Sequence, residues 1–136
     1  MARVAVVAAV EARLESLWDR CPIVGVNLKN EAPPGTPHLL VEYPVAEPPL
    51  LMTEGNPGAN VWREEGAFRL VLHRPRDEGI MTGLQWAEDL AGLFLGKEFD
   101  GVQTFGPTSP AIDDRNTAGP FCRFSIAVPY QHDFVG

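Results

Sequence analysis

Apolar residues recur along this chain at two spacings, and the spacing changes from segment to segment. At the N-terminus they fall on steps of three and four. Val4, Val7, Val10, Leu14, Leu17, Trp18 and Cys21 make one stripe, with Glu11, Arg13, Glu15, Asp19 and Arg20 on other faces. That pattern predicts an amphipathic helix over roughly residues 2–20, stopped by Pro22.

Period two then takes over. Ile23–Leu28 predicts a short strand, and Lys29–Pro37, with its Pro33-Pro34-Gly35 step, a loop. In His38–Val45, Leu39, Val41 and Tyr43 alternate with Leu40 and Glu42, and Pro44 falls near the end. Leu50–Glu54 predicts a third strand, and Asn56-Pro57-Gly58 a turn. Val61–Arg74 is the longest alternating run. Trp62, Phe68, Leu70 and Leu72 share one face, opposite a charged face of Arg63, Glu65, Arg69 and His73.

Helical spacing returns once. Leu84, Ala87, Leu90, Ala91 and Phe94 form a stripe. Thr82 and Gln85 have the spacing of a capping box, Met81 and Trp86 that of a hydrophobic staple, and Gly96 stands where a C-cap belongs. Phe99–Phe105 and Cys122–Tyr130 predict two more strands around a polar loop at Pro107–Pro120. Phe124, Ile126, Val128 and Tyr130 share a face, and Pro129 suggests an edge or a bulge. The order is α-β-β-(β)-β-α-β-β. It predicts an α+β fold with two helices packed on one face of a mostly antiparallel sheet of five to six strands.

The length of 136 residues fits one domain. Thirteen prolines and thirteen glycines fall at strand ends, turns and loops rather than in a linker. The net charge of −7 lacks the basic footprint of a free-standing nucleic-acid-binding module. No apolar run approaches the ~20 residues that span a bilayer. The apolar stretch Val4–Val10 meets Glu11, Arg13 and Glu15 where a signal peptide would be cleaved, so no signal peptide is expected. Cys21 and Cys122 give neither a disulfide framework nor a zinc spacing, and read as reduced thiols, at least one of them buried.

Candidate chemistry is sparse. The chain has no phosphate-binding glycine loop, zinc-protease motif or nucleophile elbow. His132-Asp133 beside His73 would make a base or a metal site, and Asp113-Asp114 a cation site, but the spacings carry no such pattern. Solvated surface positions are the expected reading, with no catalytic, cofactor or metal site. Arg74 and Arg76 flank Pro75 and suit a phosphate or a partner carboxylate, or a solvated loop.

The geometry of Val61–Arg74 points outward. Extended, it would reach about 45 Å, whereas a domain of this size has a radius of gyration near ~14 Å. Such a strand bends, breaks at Gly66, or projects as a hairpin at 50–74. A projecting hairpin would carry Leu50, Leu51, Met52 and Trp62 toward a neighbouring subunit, with Arg63 and Glu65 beside them. A bent one would curl over its own core.

Several stretches resemble a known family when taken in order: Leu17-Trp18 closing the first helix, then Pro37-His38-Leu39-Leu40-Val41-Glu42-Tyr43-Pro44. Glu64-Glu65-Gly66-Ala67-Phe68-Arg69-Leu70-Val71-Leu72 follows, with Pro75 and Gly79 after it. Ala87-Glu88-Asp89-Leu90-Ala91-Gly92-Leu93-Phe94, Gly101-Val102 and Phe124-Ser125-Ile126-Ala127-Val128-Pro129-Tyr130-Gln131 complete the set. In these the chain resembles the phage tail terminator-like, or tail-completion, family that includes the lambda tail terminator. The resemblance implies a structural protein of the virion tail, made in the host cytoplasm and placed at the head-proximal end. It implies a ring of copies, typically a hexamer, that caps the tail tube and meets the head–tail connector.

Tube- or connector-facing positions would then include Arg69, Arg74, Arg76, Asp113, Asp114 and Arg115. DNA would pass through the lumen without specific binding, and the acidic balance suits that passage. Another head–tail neck protein, or a small soluble hydrolase built on His73, His132 or the acidic loop, are the alternative readings.

Overall fold

A computed structural model describes residues 2–24, 36–76, 78–113 and 121–136. Helix α1 spans Val4–Leu17 and ends where Trp18 takes an extended backbone. It is shorter than the predicted 2–20, and its buried stripe is displaced. Val6, Ala9, Val10 and Leu14 face the core, while Val4 is exposed. The first two turns are apolar all round, so periodicity alone leaves the phase open. Trp18 is buried as expected. Its ring meets Trp86 edge-on at 6.0 Å, and its Nε1–H donates to the Sγ of Cys21 at 3.3 Å.

Strand β1 (Ile23–Val24) runs parallel to β2 (His38–Ala46). The predicted remainder of the first strand and most of the Lys29–Pro37 loop lie outside the described residues. β2 pairs antiparallel with β4 (Val61–Pro75), and its register shifts between Glu42 and Val45. Pro44 sits in that irregularity, where a missing N–H is tolerated. β3 (Leu50–Thr53) lies on the same flank of β4, further along it.

The spine of the molecule is β4 against β8 (Phe121–Val135). The two strands pair in register over their whole length, from Val61 opposite Val135 to Pro75 opposite Phe121. β4 does not break at Gly66. Pro129 is not on an edge strand, because β8 is interior. The Phe105 N–H donates to the Pro129 carbonyl at 3.0 Å, so this peptide edge of Pro129 points away from β4 toward the 105–110 connection. In an antiparallel strand a residue's N–H and C=O point the same way, so the missing donor costs no bond to β4.

Among the described residues the sheet has eight strands, in the order β1-β2-β4-β8-β6-β5, with β3 beside β4 and β7 beside β8. That exceeds the predicted five to six for two reasons. The run Phe99–Phe105 is a hairpin, β5 (Glu98–Phe99) and β6 (Val102–Thr104), turned at Asp100-Gly101. Both turn residues have positive φ, 46° and 80°, the conformation Asp-Gly adopts in tight hairpins. The polar loop also contains β7 (Ala111–Asp113), paired to Ser125–Arg123 of β8.

Helix α2 spans Met81–Gly92. The expected capping box does not form: the cap position is Ile80, with no side-chain hydrogen bond, and Thr82 lies inside the helix. The staple is absent too, since Met81 is 76% exposed and Trp86 packs on Trp18 instead. Beyond Gly92 the chain tightens to i→i−3 bonds, Leu93 to Leu90 and Phe94 to Ala91. Gly96 has the left-handed φ (56°) expected of it, four residues past the helix end.

Both helices lie over one face of the sheet. Leu39, Val41, Tyr43, Phe68, Leu70, Leu72, Phe124, Ile126, Val128 and Tyr130 form its buried side with Ala87, Leu90 and Phe94. Gly83 of α2 is the closest approach: a Cβ there would stand 2.4 Å from the ring of Phe124. The helices are also tied to each other. Arg13 Nε donates to the Leu93 carbonyl at 2.7 Å, and Arg20 pairs with Asp89.

Candidate interaction surfaces

β3, the first residues of β4 and the C-terminal end of β8 together form one end of the sheet, the arm. Asn60 and Gly136 exchange backbone hydrogen bonds at 3.1 and 2.9 Å, and Trp62 Nε1 donates to the Gly136 carbonyl at 3.2 Å. Arg63 makes a two-pronged pair with Asp133, at 2.7 and 2.9 Å. That pair holds the Asp133 carboxyl below the usual range. Of the six interface candidates, Trp62 and Arg63 are thus engaged within the arm. Glu65 is exposed. Leu50, Leu51 and Met52 are 52%, 44% and 46% exposed. Leu50 sits opposite Arg63 and Leu51 opposite Trp62, so the apolar side chains occupy both faces of the arm.

At the root of the arm lies a carboxylate that the sequence reading passes over. Glu64 is buried on the core parity of β4. Its Oε2 accepts from the Arg3 backbone N–H at 3.4 Å and from the Tyr130 hydroxyl at 3.3 Å. An anion at the start of α1 also suits the helix dipole. Burial, then the Glu64 charge, raises the Tyr130 hydroxyl above its ordinary pKa, so it stays a donor. Arg3 lies over the Phe134 ring at 3.8 Å.

The tube- or connector-facing candidates divide between two surfaces. Arg69 pairs with Glu42 across β2–β4, and Asp113 accepts from Arg123 at 2.8 Å across β7–β8. Both pairs border a shallow depression of about 270 Å³ on the uncovered sheet face, lined also by Leu40, Val71, His73 and Ser125. Arg74 turns to the helix side. Its guanidinium lies over Trp86 at 4.5 Å and donates to Glu78 at 2.9 Å. Arg76 follows directly after β4, at its far end from the arm. Asp114 and Arg115 lie outside the described residues. Nearer the arm the uncovered face carries a second depression, of about 500 Å³. Gly66, Ala67, Pro129 and Phe105 line it, beside Glu47 and Glu65.

The structure does not assemble the histidine site weighed from sequence. His73 stands opposite Arg123, whereas His132 stands opposite Glu64. Nine residues of extended strand, about 30 Å, separate the two positions. His132 instead donates through Nδ1 to the Gly101 carbonyl at 2.8 Å. His73 meets His38, its direct neighbour on β2. Among the described residues no group of three or more His, Cys, Asp or Glu side chains is placed to hold a metal ion. Both cysteines are free thiols, and Cys122 is buried.

This is an α+β sandwich with helices on one face of its sheet and an exposed apolar strand at one end. Comparison with solved structures agrees on the fold. One matches with a TM-score of 0.58 and 18% identity, covering 98% of this chain and 97% of the other. No curated protein matches. A family model described as phage tail terminator protein matches residues 5–130, and the chain belongs to that family. It is therefore a member of a structural protein family of the phage tail.

Proposed function

We propose that this protein closes the finished tail tube as a ring of identical subunits, hexameric as the family likeness implies, and offers its outer side to the head–tail connector. The observation that carries this is the arm. Half-exposed leucines and a methionine on both faces of a strand paired to β4 are costly in water and suit burial against a neighbour. A closed ring joins two unlike patches on each subunit, and the arm supplies one of them.

The subunit's other partners are then the tail tube protein on one side and the connector on the other. DNA runs through the lumen without being held. Two features support easy passage: the net charge of −7, and arginines on the uncovered face that already hold carboxylates, Arg63 with Asp133, Arg69 with Glu42 and Arg123 with Asp113. The reading is tested in particles lacking the protein. Overlong tails without heads are expected. A Leu51–Val61 deletion chain that folds as a monomer should reproduce that defect when supplied in place of the whole protein. Tails of normal length, joined to heads, would overturn the proposal.

A further inference from the structure

We propose that the stacked imidazoles of His38 and His73, closed by Phe121, form an acid-released clasp that holds the beginnings of β2 and β8 against the end of β4. The three residues come from three strands and meet at the sheet end opposite the arm. His38 opens β2, Phe121 opens β8, and His73 lies near the close of β4. The imidazoles are cross-strand neighbours, 4.2 Å between centroids and 10° from parallel. Phe121 stands edge-on to both rings, at 5.0 and 5.7 Å. His38 Nδ1 donates to the Thr36 carbonyl at 3.1 Å, fixing that ring as the chain enters the sheet.

The surroundings of His73 disfavour a charge on its ring. Facing His73 are His38 and Glu42 on β2, Arg69 on its own strand, Arg123 on β8 and Asp113 on β7. Both carboxylates are already engaged, Glu42 by Arg69 and Asp113 by Arg123. A proton arriving on His73 therefore meets a second imidazole and a guanidinium, with no uncommitted anion among these neighbours. Burial, then His38 and Arg123, push the His73 pKa down to about 4, only partly offset by the Val71 backbone and Glu42.

The sign follows directly. In an unfolded or opened chain His73 takes up its proton near pH ~6.5, and in the closed stack it does so only near the lower value. The clasp is at full strength above pH ~6.5 and weakens as pH falls through this window, by about tenfold in the closed-to-open ratio per pH unit. What loosens is local. β1 hangs on Leu39 and Leu40 of β2, and β7 on Arg123–Ser125 of β8. The arm is at the other end of the same two long strands.

The test is an NMR titration of the full chain, following the histidine imidazoles and the backbone amides between pH 8 and 4. His73 is expected to stay neutral to below pH ~5. As it titrates, amide signals of His38–Leu40 and Phe121–Arg123 should shift or broaden together, while those of Val61–Glu65 hold. His73→Phe keeps a ring in the stack and removes the proton, so the acid-induced change at those amides should disappear. The wild-type titration decides even if that variant does not fold. Titration of His73 near its ordinary value would overturn the clasp. So would a low titration that leaves the amides unmoved, or an unchanged acid response in His73→Phe.

Discussion

The two ends of the β4–β8 ladder have the same backbone and opposite surroundings. Both strands pair without interruption from the arm to the far end. Under the helices, Phe68, Leu70 and Leu72 of β4 are wholly buried against Val128, Ile126 and Phe124. At the arm end, the leucines and methionine of β3 stay about half in water although β3 is paired to β4. Hydrogen bonding is therefore not what distinguishes body from arm. Each backbone bond contributes little net stability, because water offers the same bond to the open chain. The difference is in apolar area removed from water, at about 25 cal/mol per Å². The body finds its apolar partners within the chain, whereas Leu50, Leu51 and Met52 stay about half exposed.

The sharpest way to break this contrast is to empty the body. Phe68 touches Phe94 edge-on at 5.1 Å, with Tyr130 at 6.1 Å and Tyr43 at 6.3 Å. Phe68→Ala would leave a cavity at the centre of that ring cluster and should cost about 3–5 kcal/mol. Against a total of ~5–15 kcal/mol, that is enough to unfold a substantial fraction of the protein on mild heating. Chemical denaturation monitored by tryptophan fluorescence would measure it.

The next test sits at the junction. Glu64→Ala removes the acceptor for the Tyr130 hydroxyl, which is buried, and for the Arg3 N–H, which is partly buried. A loss of about 1–3 kcal/mol is expected, from donors left without partners. Glu64→Gln keeps an acceptor oxygen and should recover most of it in the same denaturation assay. Equal losses from the two substitutions would mean that charge at the helix start, not the hydrogen bonds, ties arm to body.

Glu64 also marks where sequence reading reached its limit. Alternation in Val61–Arg74 and Cys122–Tyr130 displays the core face of the spine, because one buried side forces period two on both strands. Helix α2 was legible for the same reason: Ala87, Leu90 and Phe94 are buried at helical spacing. The charged residue on the apolar parity, Glu64, was invisible as a contact, since its partners come from α1 and β8, far away in sequence. The phase of α1 was lost because its opening turns are apolar on every side. Asp100-Gly101 did carry a hairpin signal, masked by the short runs around it. His38 and His73 each look like solitary surface histidines until the register of β2 on β4 sets them face to face. On the arm, the residue types and exposure of Leu50, Leu51 and Met52 were legible. A partner surface lies beyond such a reading, because a single chain's pattern contains only its own half of any interface.

The smallest expected change in stability is the one that bears most on function. In a double substitution, Leu51→Ser with Met52→Ser, both side chains leave positions already about half in water. Little transfer energy is lost within the chain, no cavity forms, and the Leu51–Trp62 backbone pairing can persist. Folding stability should move by no more than about 0.5 kcal/mol, as for other surface changes. If the arm is buried against a neighbour, the same substitutions act in the assembly on area that would become fully dry. Each buried leucine or methionine is then worth about 1.5–3 kcal/mol, and a ring repeats that loss at every interface. The variant should therefore unfold with the wild type in denaturant yet fail to assemble, as read by light scattering and by its retention on tail tubes. A drop of several kcal/mol in the isolated chain would reverse the contrast, making the arm part of its own body's core. Unchanged stability with unchanged assembly would move the subunit contact elsewhere on the surface.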